Sequence, residues 1–227
     1  MKNNTLNLSF ENLSYAPTRA EHYEKYSILQ LNGAIEFGSS AGPLVIYSTA
    51  PSTATDLFRI ATGVVAAKEG NVKITMNDST VTNGGIYIPA EPTSIPWLSV
   101  SENIKLAVKI SGKQSDSDDI KRALELAGLD SYEQHIPHGK SYGFRLRIVL
   151  ARALAMNPHF LAIGEILPKM DEVLRGEILK VLQRISVKAG IPVLVAARTH
   201  EQVNIPHTGY LMERNETTLV SVLENRT

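Results

Sequence analysis

Apolar and polar positions recur with two different periods along this chain, and the two periods predict strands and helices in turn. Residues 6–13 alternate apolar and polar side chains, a pattern that predicts an edge strand. Further strands are predicted at 26–37, 44–47, 70–76, 85–88, 160–163 and 192–197. Helices are predicted at 57–67, 100–110, 119–127, 144–156 and 172–189. Strands that alternate with helices at this spacing indicate an α/β fold with a largely parallel sheet.

The stretch from residue 139 to residue 171 gives the clearest of these patterns. Its helix at 144–156 is rich in Leu, Ala and Arg, and Asn157-Pro158 ends it because proline disfavours helical geometry in the residue before it. Residues 160–163 are an apolar run suited to a central strand covered on both faces. Glu165 follows that strand at its carboxyl end, where open α/β sheets bind their ligands.

Composition limits the classes of protein that this chain can belong to. With 227 residues and 43% hydrophobic content, it can bury a full core. Lys+Arg 23 balance Asp+Glu 23, so the charge gives no reason to expect a nucleic-acid partner. Cysteine is absent, which excludes disulfides and thiolate metal sites. No apolar run approaches the ~20 residues of a membrane-spanning helix, and the N-terminus lacks the core of a signal peptide.

The central stretch also carries a resemblance to a known family. SYGFRLRIVLARALAMNPHFLAIGEI resembles the part of ATP-binding-cassette (ABC) transporter subunits that runs from the LSGGQ signature, through an ARAL helix, to the Walker B strand. Residues 151–154, Asn157-Pro158, Glu165 and Asp171 match in order and spacing. Four ordered landmarks within about thirty residues make a specific match.

Three segments outside the central stretch extend the resemblance over nearly the whole chain. Residues 57–63 are similar to the helix that follows a family P-loop, and residues 70–74 to the GxVxI strand. Residues 95–103 resemble the LPWLTVLENV segment of nitrate, sulfonate and taurine-type importers. The resemblance implies one ABC ATPase-like domain over 1–227. It would have a P-loop-NTPase-like core, an N-terminal antiparallel β portion and a helical subdomain at about 92–150.

The family's P-loop pattern, GPSGxGKST, falls on a segment without glycine, which begins at Ser48. Ala54 stands at the position of the phosphate-binding lysine, and Pro51 replaces a glycine and lacks an N–H donor. Thr55 keeps a hydroxyl, but Asp56 adds a negative charge that would repel a bound anion. We therefore interpret this segment as a degenerate P-loop, an ordinary joint between a strand and a helix.

The catalytic positions implied by the resemblance are also reduced. Gly164 replaces the Walker B aspartate, so that Glu165 alone remains at the position of the general base. Ala90 stands near the switch-loop glutamine. An ungapped alignment places Arg198 at the family's histidine, whereas His200 belongs to a displaced Thr-His pair, and the sequence leaves this choice open. Glu165 and His200 are thus vestigial candidates.

Two further segments are candidates for contacts with partners. Ser141 and Gly143 survive in the signature, which in the family reaches the nucleotide of the other subunit, while Tyr142 replaces its first glycine. Ser141 could equally be a simple helix N-cap. Trp97 and Leu98 match the segment beside the groove that receives the permease, where aromatic residues are favoured anchors, although Trp97 could instead be a core anchor.

The resemblance and its missing residues lead to one principal hypothesis. We expect a non-hydrolysing structural or regulatory subunit that binds no cofactor and no metal. It would dock on an ABC permease, pair with a competent second ABC ATPase subunit as a heterodimer, and lie in the cytoplasm at the inner face of the membrane. One alternative is an active ABC ATPase with unusual site residues, which would bind MgATP. The other is a scaffold protein outside transport.

Overall fold

The fold consists of two sheets and a set of helices. The structure is a computed structural model that describes residues 3–15, 29–48, 53–82, 84–112, 115–212 and 219–222. The strands are β1 Thr5–Tyr15, β2 Leu29–Gly38, β3 Leu44–Ser48, β4 Glu69–Met76, β5 Ser79–Thr80, β6 Gly85–Ile88, β7 Phe160–Ile163, β8 Val193–Ala197, β9 Thr208–Met212 and β10 Leu219–Val222. The helices are α1 Thr53–Ala61, α2 Val100–Ser111, α3 Ser117–Ala127, α4 Tyr142–Ala155 and α5 Glu172–Ala189, with short 3-10 turns at Ser39–Ala41, Leu167–Lys169 and His200–Gln202.

The first sheet is antiparallel and has four strands in the order β2-β1-β4-β5. β1 lies inside it, since Leu8 is opposite Ile35 of β2 on one side and Ile74 of β4 on the other. The predicted strand is confirmed, but the prediction that it is an edge strand is wrong. The alternation in β1 indicates one buried face, which is lined by Leu6, Leu8 and Phe10. It does not indicate how many neighbouring strands pair with β1.

The second sheet has six strands in the order β10-β9-β3-β8-β7-β6. Its pairs are parallel from β9 to β6, and β10 joins β9 in antiparallel fashion. Every residue of β3, β7 and β8 is buried, as expected of parallel strands covered on both faces. The predicted α/β class, the largely parallel sheet and the N-terminal antiparallel portion are confirmed. β9 and β10 were not predicted.

Alternate residues of the central strands enter two separate cores. Val45 and Tyr47 of β3 join the core formed with α2 to α5, whereas Leu44 and Ile46 join the core formed with α1 and the antiparallel sheet. The parallel sheet is therefore the middle of three layers. This arrangement fixes the carboxyl ends of its strands at one edge.

Local signals set the ends of most helices. Ser99 rather than Ser101 caps α2, where it forms a capping box with Glu102. α5 begins and ends at the predicted residues, and Asp171 caps it by accepting a hydrogen bond from Leu174 N at 2.9 Å. α1 differs from its predicted range of 57–67, because the chain leaves the helix at Gly63, whose φ of 73° is left-handed.

The helical region lies along one side of the middle sheet. α4 packs against both α2 and α3, within the range predicted for the helical subdomain, and continues to Ala155. Among the residues that the structure describes, no helix is both long enough and apolar enough to cross a membrane.

Candidate functional site

The carboxyl edge of the parallel sheet brings together most of the residues implied by the resemblance. β3 ends there at Ser48, β7 leads to Gly164 and Glu165, and β8 leads to Arg198. α1 begins after β3 at the same edge. The structure thus places the candidate residues where α/β sheets bind ligands.

The joint between β3 and α1 is described only in part, because residues 49–52, including Pro51, lie outside the described residues. Ser48 and Ala54 on either side are buried. Asp56, in the first turn of α1, is only 5% exposed and pairs with Arg59, whose Nη1 lies 3.2 Å from Asp56 Oδ1. The start of α1 therefore carries a carboxylate that is already compensated within the chain.

Tyr87 of β6 fills the space between this joint and the end of β7. A Cβ atom added at Gly164 would stand 2.8 Å from Tyr87 Oη. Burial raises the pKa of Tyr87, which Arg59 partly offsets, so the hydroxyl is neutral at physiological pH. Tyr87 was not among the residues predicted for the site. Its position in the predicted strand at 85–88 could have indicated it, because Tyr87 packs against the same core as α1.

Glu165 is held by Arg198. Arg198 Nε and Nη2 donate to Glu165 Oε2 at 3.0 Å and 2.8 Å, and the glutamate side chain is 16% exposed against 53% for the arginine. Arg198 is oriented in turn, because its backbone N–H donates to Gln202 Oε1 at 2.8 Å. Two charge-assisted hydrogen bonds to one carboxylate oxygen therefore compensate the negative charge of the residue at the predicted general-base position.

His200 has a different environment from Glu165. Its ring lies against Tyr47, with a distance of 3.9 Å between the ring centroids. The Tyr47 hydroxyl lies 2.7 Å from Nε2 of His207, whose Nδ1 lies 2.8 Å from Ile205 O. Because Nδ1 of His207 faces a carbonyl oxygen, the ring proton is on Nδ1. Nε2 then accepts a hydrogen bond from the Tyr47 hydroxyl. Of the two alternatives left open by the sequence, Arg198 is the one that contacts Glu165.

The signature segment forms the N-terminus of α4. Ser141 is exposed and caps the helix by accepting a hydrogen bond from Phe144 N at 3.3 Å. Gly143 is buried, and a Cβ atom at this position would overlap Leu174 Cδ1 of α5. Packing between α4 and α5 therefore accounts for the glycine without any ligand, while Ser141 remains accessible.

Tyr142 points away from the surface of the signature segment and into the chain. Its hydroxyl donates to Ala90 O at 2.5 Å, which joins α4 to the loop after β6. Burial, reinforced by the negative charge of Glu91, raises the pKa of Tyr142 to about 12. The side chain that replaces the family's first signature glycine thus serves as an internal tie.

Trp97 lies on the surface and is 76% exposed, so the alternative of a core anchor is wrong. Leu98 beside it is half-buried. Asn103, which is fully buried, holds the loop: its Oδ1 accepts from Ile95 N at 2.8 Å, and its Nδ2 donates to Ile95 O, Leu98 O and Ser99 O at 2.9–3.1 Å. A buried amide therefore presents Trp97 to solvent from an ordered loop.

Comparison with known proteins identifies the family. The family model described as ABC transporter matches residues 53–167. The chain belongs to the ABC transporter family. Solved structures agree on the ABC ATPase fold. An ABC transporter assigned to the metal-chelate type, in an inward-facing conformation, superposes with a TM-score of 0.74 at 16% identity, over 96% of this chain and 83% of that one. An ATP-binding cassette in its ADP conformation gives 0.69 at 16% identity, over 93% and 87%.

Curated relatives of this ABC-family chain carry the name molybdenum import ATP-binding protein ModC. The Rhizobium etli protein is 27% identical over 177 residues, which are 74% of this chain and 50% of that protein. The Pseudomonas fluorescens protein is 27% identical over 172 residues, 71% and 48% of the two chains. The chain spans about half the length of these relatives. Their names do not support the narrower resemblance to nitrate, sulfonate and taurine-type importers.

The contact between Tyr87 and Gly164 gives the first testable prediction. Gly164→Ala should destabilise the protein by about 1–3 kcal/mol, because the new methyl group overpacks against Tyr87 Oη. In a Tyr87→Phe background the same substitution should cost at least ~1 kcal/mol less, since the opposing oxygen is gone. Urea unfolding of the four proteins of this cycle measures both costs.

Gly176→Ala in α5 is the matched control, because in the described part of the chain the added Cβ would meet no atom within 4 Å apart from its chain neighbours and the backbone of its own helix. It should stabilise the protein by ~0.5–1 kcal/mol through helix propensity. Equal costs of Gly164→Ala in the two Tyr87 backgrounds would show that Tyr87 does not fill this space.

Proposed function

We propose that the chain is a non-hydrolysing subunit of an ABC import complex, which docks on a permease and pairs with a competent second ABC ATPase subunit. The ion pair between Glu165 and Arg198 carries this proposal. A general base needs a carboxylate free to take a proton from water. Here a guanidinium of the same chain already makes two hydrogen bonds to one oxygen of that carboxylate, Oε2.

The residues at the sheet edge do not fit MgATP. Residues 48–56 contain no glycine, lysine or arginine, so the segment lacks the groups with which a P-loop encloses phosphate. Thr55 is the one residue of the segment that stands at the magnesium-ligand position and keeps a hydroxyl. Gly164 has no carboxylate to support a metal. Within the described residues, no group of three or more His, Asp or Glu is placed to hold a metal ion.

The number of missing contacts supports weak or absent nucleotide binding. Hydrogen bonds to charged groups are worth about 1.5–3 kcal/mol each. Loss of two or three of them would lower affinity by several powers of ten. The ion pair between Glu165 and Arg198 forms without a nucleotide.

A docking role rests on the exposed tryptophan and on the names of the relatives. Trp97 is a large aromatic side chain that the chain holds outward, and such residues are frequent anchors in interfaces. The curated relatives are named as import ATP-binding proteins. We therefore propose that Trp97 and Leu98 contact a permease and hold the chain at the inner face of the membrane.

The signature end of the chain can still contribute to the partner's nucleotide site. Ser141 is exposed at the N-terminus of α4, where the helix dipole favours negative charge. In the proposed heterodimer, the complex would be a one-site ATPase to which this chain contributes through Ser141.

ATP turnover by the reconstituted transport complex tests the assignment of roles. Glu165→Gln should leave turnover unchanged, because its carboxylate is already neutralised by Arg198. Glu172→Gln, an exposed acid in the first turn of α5, is the matched control. Ser141→Arg should lower turnover by ten-fold or more, since one misplaced group at such a site can cost 10²–10³ in rate.

Each opposite result of the turnover experiment identifies an alternative. Loss of turnover in Glu165→Gln but not in Glu172→Gln would make this chain an active ATPase. If Glu165→Gln and Ser141→Arg both leave turnover unchanged, the chain does not contact nucleotide on either side, and a scaffold role would replace the proposal.

Trp97→Ala tests the docking surface. The variant should keep the unfolding free energy of the wild type within about 0.5 kcal/mol, because the side chain is exposed. Its affinity for the permease should fall by ~2 kcal/mol or more if Trp97 is an anchor. Co-purification with the permease measures the loss, and Val64→Ala, another exposed apolar residue, is the control. Equal recovery of all three proteins would contradict the docking role.

A further inference from the structure

A cleft beside Trp97 has basic walls. It lies between the loop that contains Ser94 and Pro96 and the segment that leads into α4, and it has a volume of about 410 Å³. His138, Lys140 and Arg145 line it, and none of its lining residues is acidic. Lys140 and Arg145 lie on either side of Ser141 and Gly143 in the sequence, and neither Ser141 nor Gly143 lines the cleft.

Arg145, which lines this cleft, has one side-chain donor without a partner in the part of the chain that the structure describes. Its Nε is buried and has no hydrogen-bond partner among the described residues. Glu91, whose carboxylate interacts electrostatically with Arg145, bonds instead to Lys169 Nζ at 2.7 Å. That hydrogen bond holds the pKa of Glu91 below its usual value. The acid near Arg145 is therefore committed to another cation, and a buried donor without an acceptor is unfavourable.

We propose that the cleft binds a dianionic oxyanion of the phosphate or sulfate type, with Arg145 and Lys140 as its principal ligands. Arginine presents several N–H donors in a plane and binds such oxyanions through two bonds at once. Lys140 supplies a second permanent charge, so that two positive charges face two negative ones. The volume exceeds that of a single water many times over, which leaves room for a group attached to the anion.

The same chemistry could come from a free ion or from the phosphate of a lipid headgroup, and the experiment has one arm for each source. In the first, the full chain is titrated with sodium sulfate or sodium phosphate against sodium chloride at equal ionic strength, and binding is followed by amide NMR shifts. Thermal melting is unsuitable because sulfate stabilises proteins non-specifically. In the second arm, phosphatidylcholine vesicles with and without phosphatidic acid are sedimented with the protein.

The proposal expects saturable binding of sulfate or phosphate, or of the phosphatidic acid vesicles, and chloride should not reproduce it. Arg145→Gln should weaken that binding at least ten-fold and Lys140→Gln several-fold. Arg122→Gln, which removes an exposed arginine on α3, is the matched control and should have no effect. Lys140 is exposed, so its variant keeps the test decisive even if Arg145→Gln disturbs folding.

Binding lost in the cleft variants, in either arm, supports the proposal and identifies the source of the anion. Absence of saturable binding in both arms would overturn it, as would binding that both cleft variants leave unchanged. The test does not depend on nucleotide or on a partner, so its outcome is independent of the function proposed above.

Discussion

Burial of β3, β7 and β8 on both faces is the constraint on which the rest of the structure depends. A strand with two buried faces sends alternate residues into different cores, so it requires a layer on each side. The helices α2 to α5 form one layer, and α1 with the antiparallel sheet forms the other. The carboxyl ends of the parallel strands then have a single edge at which to meet, and the candidate site follows from that geometry.

At this edge the chain neutralises its own charges. Asp56 pairs with Arg59, Glu165 pairs with Arg198, and Tyr87 occupies the space beside Gly164. Stability alone does not explain the second pair, because a partly exposed ion pair contributes only about 0–1 kcal/mol. Its importance is chemical, because two donors of Arg198 are directed at one oxygen of the carboxylate at the predicted general-base position.

Features determined by neighbouring residues in the chain were predictable. Asp171 and Gly190 bound α5 at the predicted ends, and the apolar run at 160–163 correctly indicated a strand covered on both faces. Contacts between distant residues were not predictable from the pattern. Glu165 and Arg198 are 33 positions apart, and a single sequence without spatial information could not choose between Arg198 and His200.

The position of Trp97 shows the same limit. One tryptophan between proline and leucine suits a core or a surface equally, and its exposure depends on Asn103, whose buried amide fixes the loop. Likewise, alternation in residues 6–13 located β1 but could not show that both of its edges are paired. Periodicity describes the burial of an element, whereas neighbours are set by the tertiary fold.

Calorimetric titration of the isolated chain with MgATP tests the central claim most directly. If the chain's own side chains fill the metal and base positions, no binding heat should be detected at nucleotide concentrations up to about the millimolar range, which corresponds to less than ~4 kcal/mol of binding free energy. A micromolar dissociation constant that Thr55→Val abolishes would contradict the account, because it would place nucleotide and metal at the edge that Tyr87, Gly164 and Arg198 are proposed to close.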